Sequence, residues 1–285
     1  MRQTSHHEIQ VWLSELDRFC NEGRCQSPRF WKPYHFLTLA LRAKARGMTG
    51  LTLPDEFEGY AARMGLWEAV GLEPPCRVGR QDPSGRFLPV EALRNYGLVD
   101  QSADSLAEIT RQQSATISEE SLRITLLELL NNCFDHAEPD SDLFGLACAQ
   151  TWPRGNLAQI AIADLGIGVR ATLERGGLLA GRLHQENACL LATEYGVTGK
   201  PDDHHSGYGL TLAAEIAENN GGRLLVVSGT EIALCTQGGR FATHVDAPWP
   251  GTLLVFEWRT DQPLDADAVY RSWPTPEGMT DEDFL

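Results

Sequence analysis

The 285-residue sequence predicts an α/β fold in two domains, a C-terminal two-layer α/β sandwich with a mixed sheet and a smaller α/β domain before it. The main observation is an amphipathic helix pattern over 118–137, where apolar residues recur at three- and four-residue steps. Strand patterns follow this helix at 144–149, 157–163, 223–228, 230–236 and 251–259. Turn-like pairs at Ser228-Gly229 and Gly238-Gly239 favour an antiparallel run at the end of the sheet.

The N-terminal part predicts helices at 8–20, 34–46 and 55–66, with a short strand over 50–54 that Pro54 stops. Residues 71–89 are dense in Pro, Gly and charge, which predicts a loop or an irregular excursion. We place the first domain at 1–104, the second at 105–260 and an acidic tail at 261–285. The tail is predicted to be irregular or flexible, with a partner-docking motif as the alternative.

Composition and charge argue against several classes of protein. Lys and Arg number 24 against 39 Asp and Glu, and this net charge of −15 argues against non-specific nucleic-acid binding. Seven cysteines at scattered spacings favour a reducing cytosol over a disulfide framework. No apolar run approaches the roughly 20 residues that span a bilayer, and the N-terminus lacks the apolar core of a secretory signal. These features predict a cytoplasmic protein without membrane segments.

One edge of the 118–137 helix carries polar groups that its apolar stripe does not explain. Glu128, Asn132 and His136 follow at four-residue steps and therefore share that edge. A carboxylate and an amide in this arrangement can position a water or hydroxyl and can ligate Mg²⁺, which prefers oxygen donors. The alternative is a polar edge that only faces solvent.

A glycine motif follows the 157–163 strand. Asp164, Gly166 and Gly168 form D-x-G-x-G directly at the strand end. The aspartate can accept a hydrogen bond from an adenine amino group, and the glycines let the backbone pass close to the base. A tight turn is the alternative for the same residues.

Two further motifs suit phosphate and base binding. Gly207, Tyr208, Gly209 and Leu210 stand immediately before a helix, where backbone amides and the helix N-terminus form an anion cradle. The motif is neither a Rossmann fingerprint nor a P-loop, since it lacks a third glycine at the needed offset and a G-K-[ST]. Thr252, after Gly251 at the start of a strand, has a hydroxyl that can reach an adenine pocket through water.

In this order the motifs resemble the nucleotide domain shared by gyrase, heat-shock chaperone ATPases, histidine kinases and mismatch-repair ATPases, the GHKL or Bergerat family. The matching residues are Glu128 and Asn132 (N box), Asp164, Gly166 and Gly168 (G1 box), Gly207 and Gly209 (G2 box), and Gly251 and Thr252 (G3 box). The resemblance covers about 105–260 and implies ATP with Mg²⁺ held by Asn132, adenine read by Asp164, and a mobile lid between G1 and G2. Lys200 in that lid is a candidate phosphate contact, with a solvated loop lysine as the alternative.

The spacing of Glu128, Asn132 and His136 resembles anti-sigma-factor serine kinases more than histidine kinases, which usually carry a basic residue where this chain has Asp135. Residues 25–72 resemble the later part of a STAS domain, the usual partner of such kinases. The resemblance therefore implies a STAS-like interaction domain and a protein partner, and it leaves a homodimer open.

The leading hypothesis is an ATP-binding signalling protein in which Glu128 is catalytic. Glu128 would orient water for hydrolysis or activate a serine or threonine hydroxyl for phosphoryl transfer. The alternative is a catalytically idle module that binds ATP only to change shape. A third class, the DNA-acting ATPases, is disfavoured because the chain lacks a basic face and a downstream transducer domain.

Overall fold

The computed structural model describes residues 1–22, 27–76, 86–94, 100–101, 103–105, 107–108, 117–136, 145–199 and 207–274, without the side chains of Cys20 and residues 133–136. Three helices come first: α1 (His6–Glu22), α2 (Pro33–Ala45) and α3 (Asp55–Arg63). The later helices are α4 (Glu119–His136), α5 (Gly168–Arg175), α6 (Ala180–Leu183), α7 (Ala188–Leu191), α8 (Gly209–Asn220) and α9 (Ala266–Tyr270). The strands are β1 (Phe87–Leu93), β2 (Gly145–Trp152), β3 (Leu157–Ala163), β4 (Arg223–Thr236) and β5 (Gly239–Arg259).

The five described strands form one sheet in the order β1-β2-β3-β5-β4, and every neighbouring pair is antiparallel. The α/β class is confirmed, but the predicted mixed sheet is wrong. Short turns join β2 to β3 and β4 to β5, which makes each pair a hairpin. The helical connection from β3 to β4 leaves these two strands parallel, and β5 lies between them, so no parallel neighbours result.

Both faces of the sheet are covered. Side chains alternate along the strands, so that Ala161 and Val255 join one core with α1–α3 whereas Ile160 and Phe256 join another with α4, α8 and α9. The sheet is the middle of three layers, with α4, α8 and α9 on one face and α1–α3 on the other, and a two-layer sandwich bounded at 105–260 stays a prediction. All seven residues of β3 are buried, as two-sided coverage requires.

The predicted strand over 50–54 is wrong. These residues form no strand ladder, although Leu51 and Leu53 are buried. Instead, the Leu51 carbonyl accepts a hydrogen bond of 2.8 Å from the Trp67 indole N–H. Among the described residues before α4, the strand is β1, which begins within the predicted 71–89 loop and pairs with β2. The strand–helix alternation of the STAS-like reading is therefore not found within 27–76, and the domain boundary at 104 stays a prediction.

A buried polar network ties the N-terminal segment to the sheet. The fully buried carboxylate of Glu257 on β5 accepts hydrogen bonds from the Thr4 N–H at 2.8 Å and the Thr4 hydroxyl at 2.6 Å. The Gln159 amide donates to the same carboxylate at 2.6 Å. Lys32 places its ammonium 2.9 Å from the Thr4 hydroxyl, which brings a cation into the network. These bonds satisfy a carboxylate that would otherwise be costly to bury.

The second half departs from the sequence prediction in several places. β5 begins at Gly239, so Gly251 and Thr252 lie within this strand and not at its start. The pair Ser228-Gly229 is not a turn but a register shift inside the continuous strand β4. The region predicted as an irregular tail contains α9, and Leu264 forms an isolated parallel bridge with Ile117. The rest of the tail, 275–285, lies outside the described residues. In the part of the chain that the structure describes, no helix is both long and apolar enough to cross a membrane.

Candidate functional site

Asp164 is the centre of the candidate site. It follows β3, is 5 % exposed, and directs Oδ1 at two backbone N–H groups, those of Gly166 at 2.7 Å and Thr252 at 3.1 Å. Burial raises the pKa of this carboxyl to about 6, and the hydrogen bonds from Gly166 and Thr252 oppose the rise. Because Oδ1 is engaged, Oδ2 is the atom that can accept from a ligand.

The structure brings the predicted G1 and G3 motifs together. The Asp164 N–H donates to the Thr252 carbonyl at 2.9 Å, so the ladder between β3 and β5 continues into the motif. Gly251 has φ +80°, and a Cβ there would lie 2.5 Å from the Asp164 backbone oxygen and from Oδ1. Only glycine allows the backbone at position 251 to lie this close to Asp164, which explains why a glycine precedes Thr252.

Ser228 is a site residue that the sequence reasoning missed. Its buried hydroxyl donates to the Gly251 carbonyl at 2.7 Å and accepts from the Val169 N–H at 2.9 Å. It therefore links β4, β5 and the start of α5 directly behind Gly168. No motif marks such a serine, because a serine within a strand pattern usually faces solvent.

A bidentate ion pair holds α5 against the sheet. Arg170 donates to both carboxylate oxygens of Glu231 on β4, at 2.9 and 2.7 Å. The same carboxylate accepts from the Ala188 N–H at 3.0 Å at the start of α7. The first helix after G1 is thus fixed by a well-formed pair, which the sequence did not indicate.

Glu128 and Asn132 lie on α4 as predicted, and Glu128 is exposed at the helix surface. The Asn132 amide nitrogen donates to the Glu128 carbonyl at 2.7 Å, so the Asn132 oxygen is the atom that can ligate a metal. The side chain of His136 and the whole of Lys200 lie outside the described residues. Within that description, no group of three or more His, Cys, Asp or Glu side chains is arranged to hold a metal ion.

The predicted N box and the predicted G2 box meet at the first residue of α8. A Cβ on Gly209 would lie 2.6 Å from Glu128 Oε2, so the missing side chain makes room for the carboxylate. The carboxylate therefore lies at the positive end of the α8 dipole, where phosphates also bind favourably.

The other G2 residues surround this helix start. Gly207 has φ +69° and packs beneath the Val197 carbonyl, and Tyr208 is the N-cap of α8. Leu210 is half-buried and shares a small apolar cluster with Val169, which follows the G1 glycines. This shared cluster connects the G1 and G2 motifs, which are about 40 residues apart in sequence.

A cavity of about 550 Å³ lies beside the G1 backbone, between α5 and the outer half of the β4–β5 hairpin. Its lining includes Gly166 and Gly251 but no residue of α4 or α8. We therefore do not assign it to a nucleotide whose phosphates would bind at the start of α8.

Comparisons of the chain with protein-family models, with curated proteins and with solved structures found no match.

Proposed function

We propose that residues 105–260 form an ATP-binding domain of the Bergerat type and that the protein is an ATP-dependent signalling protein. The observation that carries this proposal is the buried Asp164, held on one oxygen by the Gly166 and Thr252 amides. A carboxylate fixed in this way presents one acceptor in a fixed direction, which suits the amino group of adenine and not the carbonyl of guanine.

The phosphates would bind at the N-terminus of α8, where the first N–H groups of the helix lack intrahelical acceptors. Mg²⁺ would be held by the Asn132 oxygen together with the phosphates, and it would neutralise charge on them. Glu128 stands at the same helix start and has the chemistry to accept a proton from water or from a serine or threonine hydroxyl. The proposed activity is ATP hydrolysis or phosphoryl transfer to a protein partner.

The alternative is an ATP-dependent conformational switch without turnover. The close approach of Glu128 to Gly209 favours it too, because this carboxylate lies where phosphate charge would accumulate and could respond by moving. The two functions share a binding site and differ in whether ADP is formed.

Calorimetric titration with ATP and GTP, each with and without Mg²⁺, tests the proposal. We expect Mg²⁺-dependent binding of ATP and at least tenfold weaker binding of GTP, the effect of about 1.4 kcal/mol. ADP release, alone and with candidate partner proteins, then separates the enzyme from the switch. Equal affinities for ATP and GTP, or no binding of either, would overturn the adenine site.

A further inference from the structure

Four aromatic side chains from three segments form one cluster beside the start of α8. Tyr195 and Tyr208 stack with their ring centres 4.6 Å apart, and the Trp273 ring lies 5.1 and 5.2 Å from them. Tyr270 meets the same indole edge-on at 5.1 Å. We call these residues the aromatic cluster. One of them, Tyr208, belongs to the predicted G2 motif.

The C-terminal arm, residues 264–273, supplies two of the four rings and is anchored on α4 and α8. Leu264, Ala266 and Val269 are buried in the core that these helices share. The Ala266 N–H donates to the Ser121 hydroxyl on α4 at 3.0 Å. At the other end, the Trp273 indole N–H donates to Glu215 on α8 at 2.9 Å. The arm is therefore held against α4 near its start and against α8 at its end.

The arm also approaches the second candidate functional group. Burial and then the neighbouring carboxylates of Glu128 and Asp267 raise the pKa of Tyr270. The Tyr270 hydroxyl thus lies within the electrostatic influence of Glu128. The arm is thus bonded to α4, the helix that carries Glu128, and the Glu128 carboxylate lies against Gly209 of the predicted G2 motif.

We propose that Trp273 is a positioning residue of the nucleotide site and that the C-terminal arm thereby regulates nucleotide affinity. Tyr208 is the N-cap of α8, so the orientation of its peptide groups determines where the first helical N–H groups point. Trp273 packs on the Tyr208 ring and holds that residue from outside the cradle. This inference rests on the proposed ATP site, and it assigns a role to a segment outside the 105–260 domain.

The coupling must act in both directions. If a docked arm strengthens nucleotide binding by a given factor, bound nucleotide strengthens docking of the arm by the same factor. The nucleotide would in this way control how firmly the segment before the acidic tail is held. A partner that binds the tail could then detect the nucleotide state.

The test compares ATP affinities of the full chain and of Trp273→Ala, Trp273→Phe and Trp152→Ala. We expect Trp273→Ala to weaken binding roughly three- to tenfold, the scale of one or two aromatic contacts. Trp273→Phe keeps a ring against Tyr208 and should stay within about twofold of wild type. Trp152→Ala is the matched control, since this half-buried tryptophan contacts Phe30 near the N-terminal helices instead. Wild-type affinity in Trp273→Ala would overturn the proposal.

Hydrogen exchange of the wild-type protein gives a second readout that needs no variant to fold. Saturating ATP should slow exchange of the arm amides, including that of Ala266, and unchanged exchange would overturn the coupling. Failure of the ATP site and failure of the coupling to the arm give different results. If the wild-type chain does not bind ATP, the proposed function fails and this inference with it. If wild type binds ATP but neither Trp273→Ala affinity nor arm exchange responds, only the role of the arm is wrong.

Discussion

At the scale of a residue, the buried carboxylate of Asp164 lowers the stability of the fold at the proposed binding site. An ionised carboxylate is costly to bury, and the fold recovers part of that cost through the N–H groups of Gly166 and Thr252 on Oδ1 and through the Thr252 side chain. Neither of these N–H groups binds Oδ2, which can accept a hydrogen bond from a ligand donor. Residues that are strained or costly in this way are often part of functional sites.

The pH dependence of stability follows from the raised pKa of Asp164. Its value rises from 3.8 to about 6, so the folded state holds a proton that the unfolded state has lost in this window. The resulting stabilisation is complete below about pH 4 and is lost as the pH rises to about 6, a change of about 3 kcal/mol. Asp164→Asn removes the effect, so at pH 7 we expect the variant to be more stable by up to about this amount.

Urea unfolding of both proteins between pH 4 and pH 8 measures this difference directly. The curve of stability against pH for wild type should fall relative to that of Asp164→Asn up to about pH 6 and run parallel above it. A difference that does not change with pH would show that the carboxyl does not titrate as described.

Gly251 gives a second prediction at this scale. Alanine at φ +80° is strained, and its Cβ would collide with Asp164, so Gly251→Ala should lose roughly 1–3 kcal/mol of unfolding free energy. Gly59→Ala is the control, because Gly59 lies within α3 with open space around it and should gain about 0.5–1 kcal/mol. Equal stabilities of wild type and Gly251→Ala in urea would contradict the close packing of G1 and G3.

At the scale of elements, α4 meets the start of α8 at Glu128. Substitution of this residue tests whether its carboxylate takes part in ATP turnover. Glu128→Ala should keep ATP affinity within a few-fold, while phosphate release or transfer falls by about 10²–10⁴-fold, the usual range for a general base. Both quantities are measured in one preparation. Glu120→Ala removes the same charge from an exposed position in the first turn of α4 and should leave turnover unchanged. Turnover that survives in Glu128→Ala would exclude the catalytic role of this carboxylate.

Several elements and site residues could be predicted because their signals are local. Each of these signals lies within about 20 residues of sequence: the apolar periodicity of α4, the strand before Asp164 and the glycines at the start of α8. Gly251 and Thr252 could be paired with Asp164 only through the family resemblance, although a glycine within a strand indicates a close backbone approach.

Other features depend on contacts between distant segments. The apolar residues Leu51 and Leu53 alternate as they would in a strand, which wrongly predicted a strand over 50–54. They are buried in the core with the helices and form no strand ladder. Ser228 joins the site through hydrogen bonds to Gly251 and Val169 that no spacing reveals. The layer of N-terminal helices on the second face of the sheet could have been predicted, because the nearly continuous apolar sequence of β3 indicates burial on both faces.

At the scale of the whole molecule, the N-terminal helices share one core with the sheet, and the Thr4 hydroxyl is central to the network beneath them. Thr4→Val keeps the backbone hydrogen bond to Glu257 but removes the one from the hydroxyl, together with one acceptor each for Lys32 and Gln159, which should cost roughly 1–3 kcal/mol. We expect a single unfolding transition that shifts as a whole, because the two parts bury each other. Thr52→Val, at an exposed position, should change stability by less than about 0.5 kcal/mol.

Thermal unfolding, followed by circular dichroism and by calorimetry, distinguishes a single cooperative transition from the unfolding of two independent domains. Two transitions, of which only one moves in Thr4→Val, would mean that the layers fold separately.

The most direct measurement of the central claim is the ATP affinity of Asp164→Asn against that of wild type near pH 7.5. In the variant, the side-chain oxygen keeps the Gly166 and Thr252 donors, so its NH₂ group faces the amino group of adenine, and two donors meet. We predict an affinity loss of about 5- to 150-fold, corresponding to 1–3 kcal/mol, in a protein that is more stable than wild type. An unchanged ATP affinity in the folded variant would contradict the assignment of Asp164 as the residue that reads adenine.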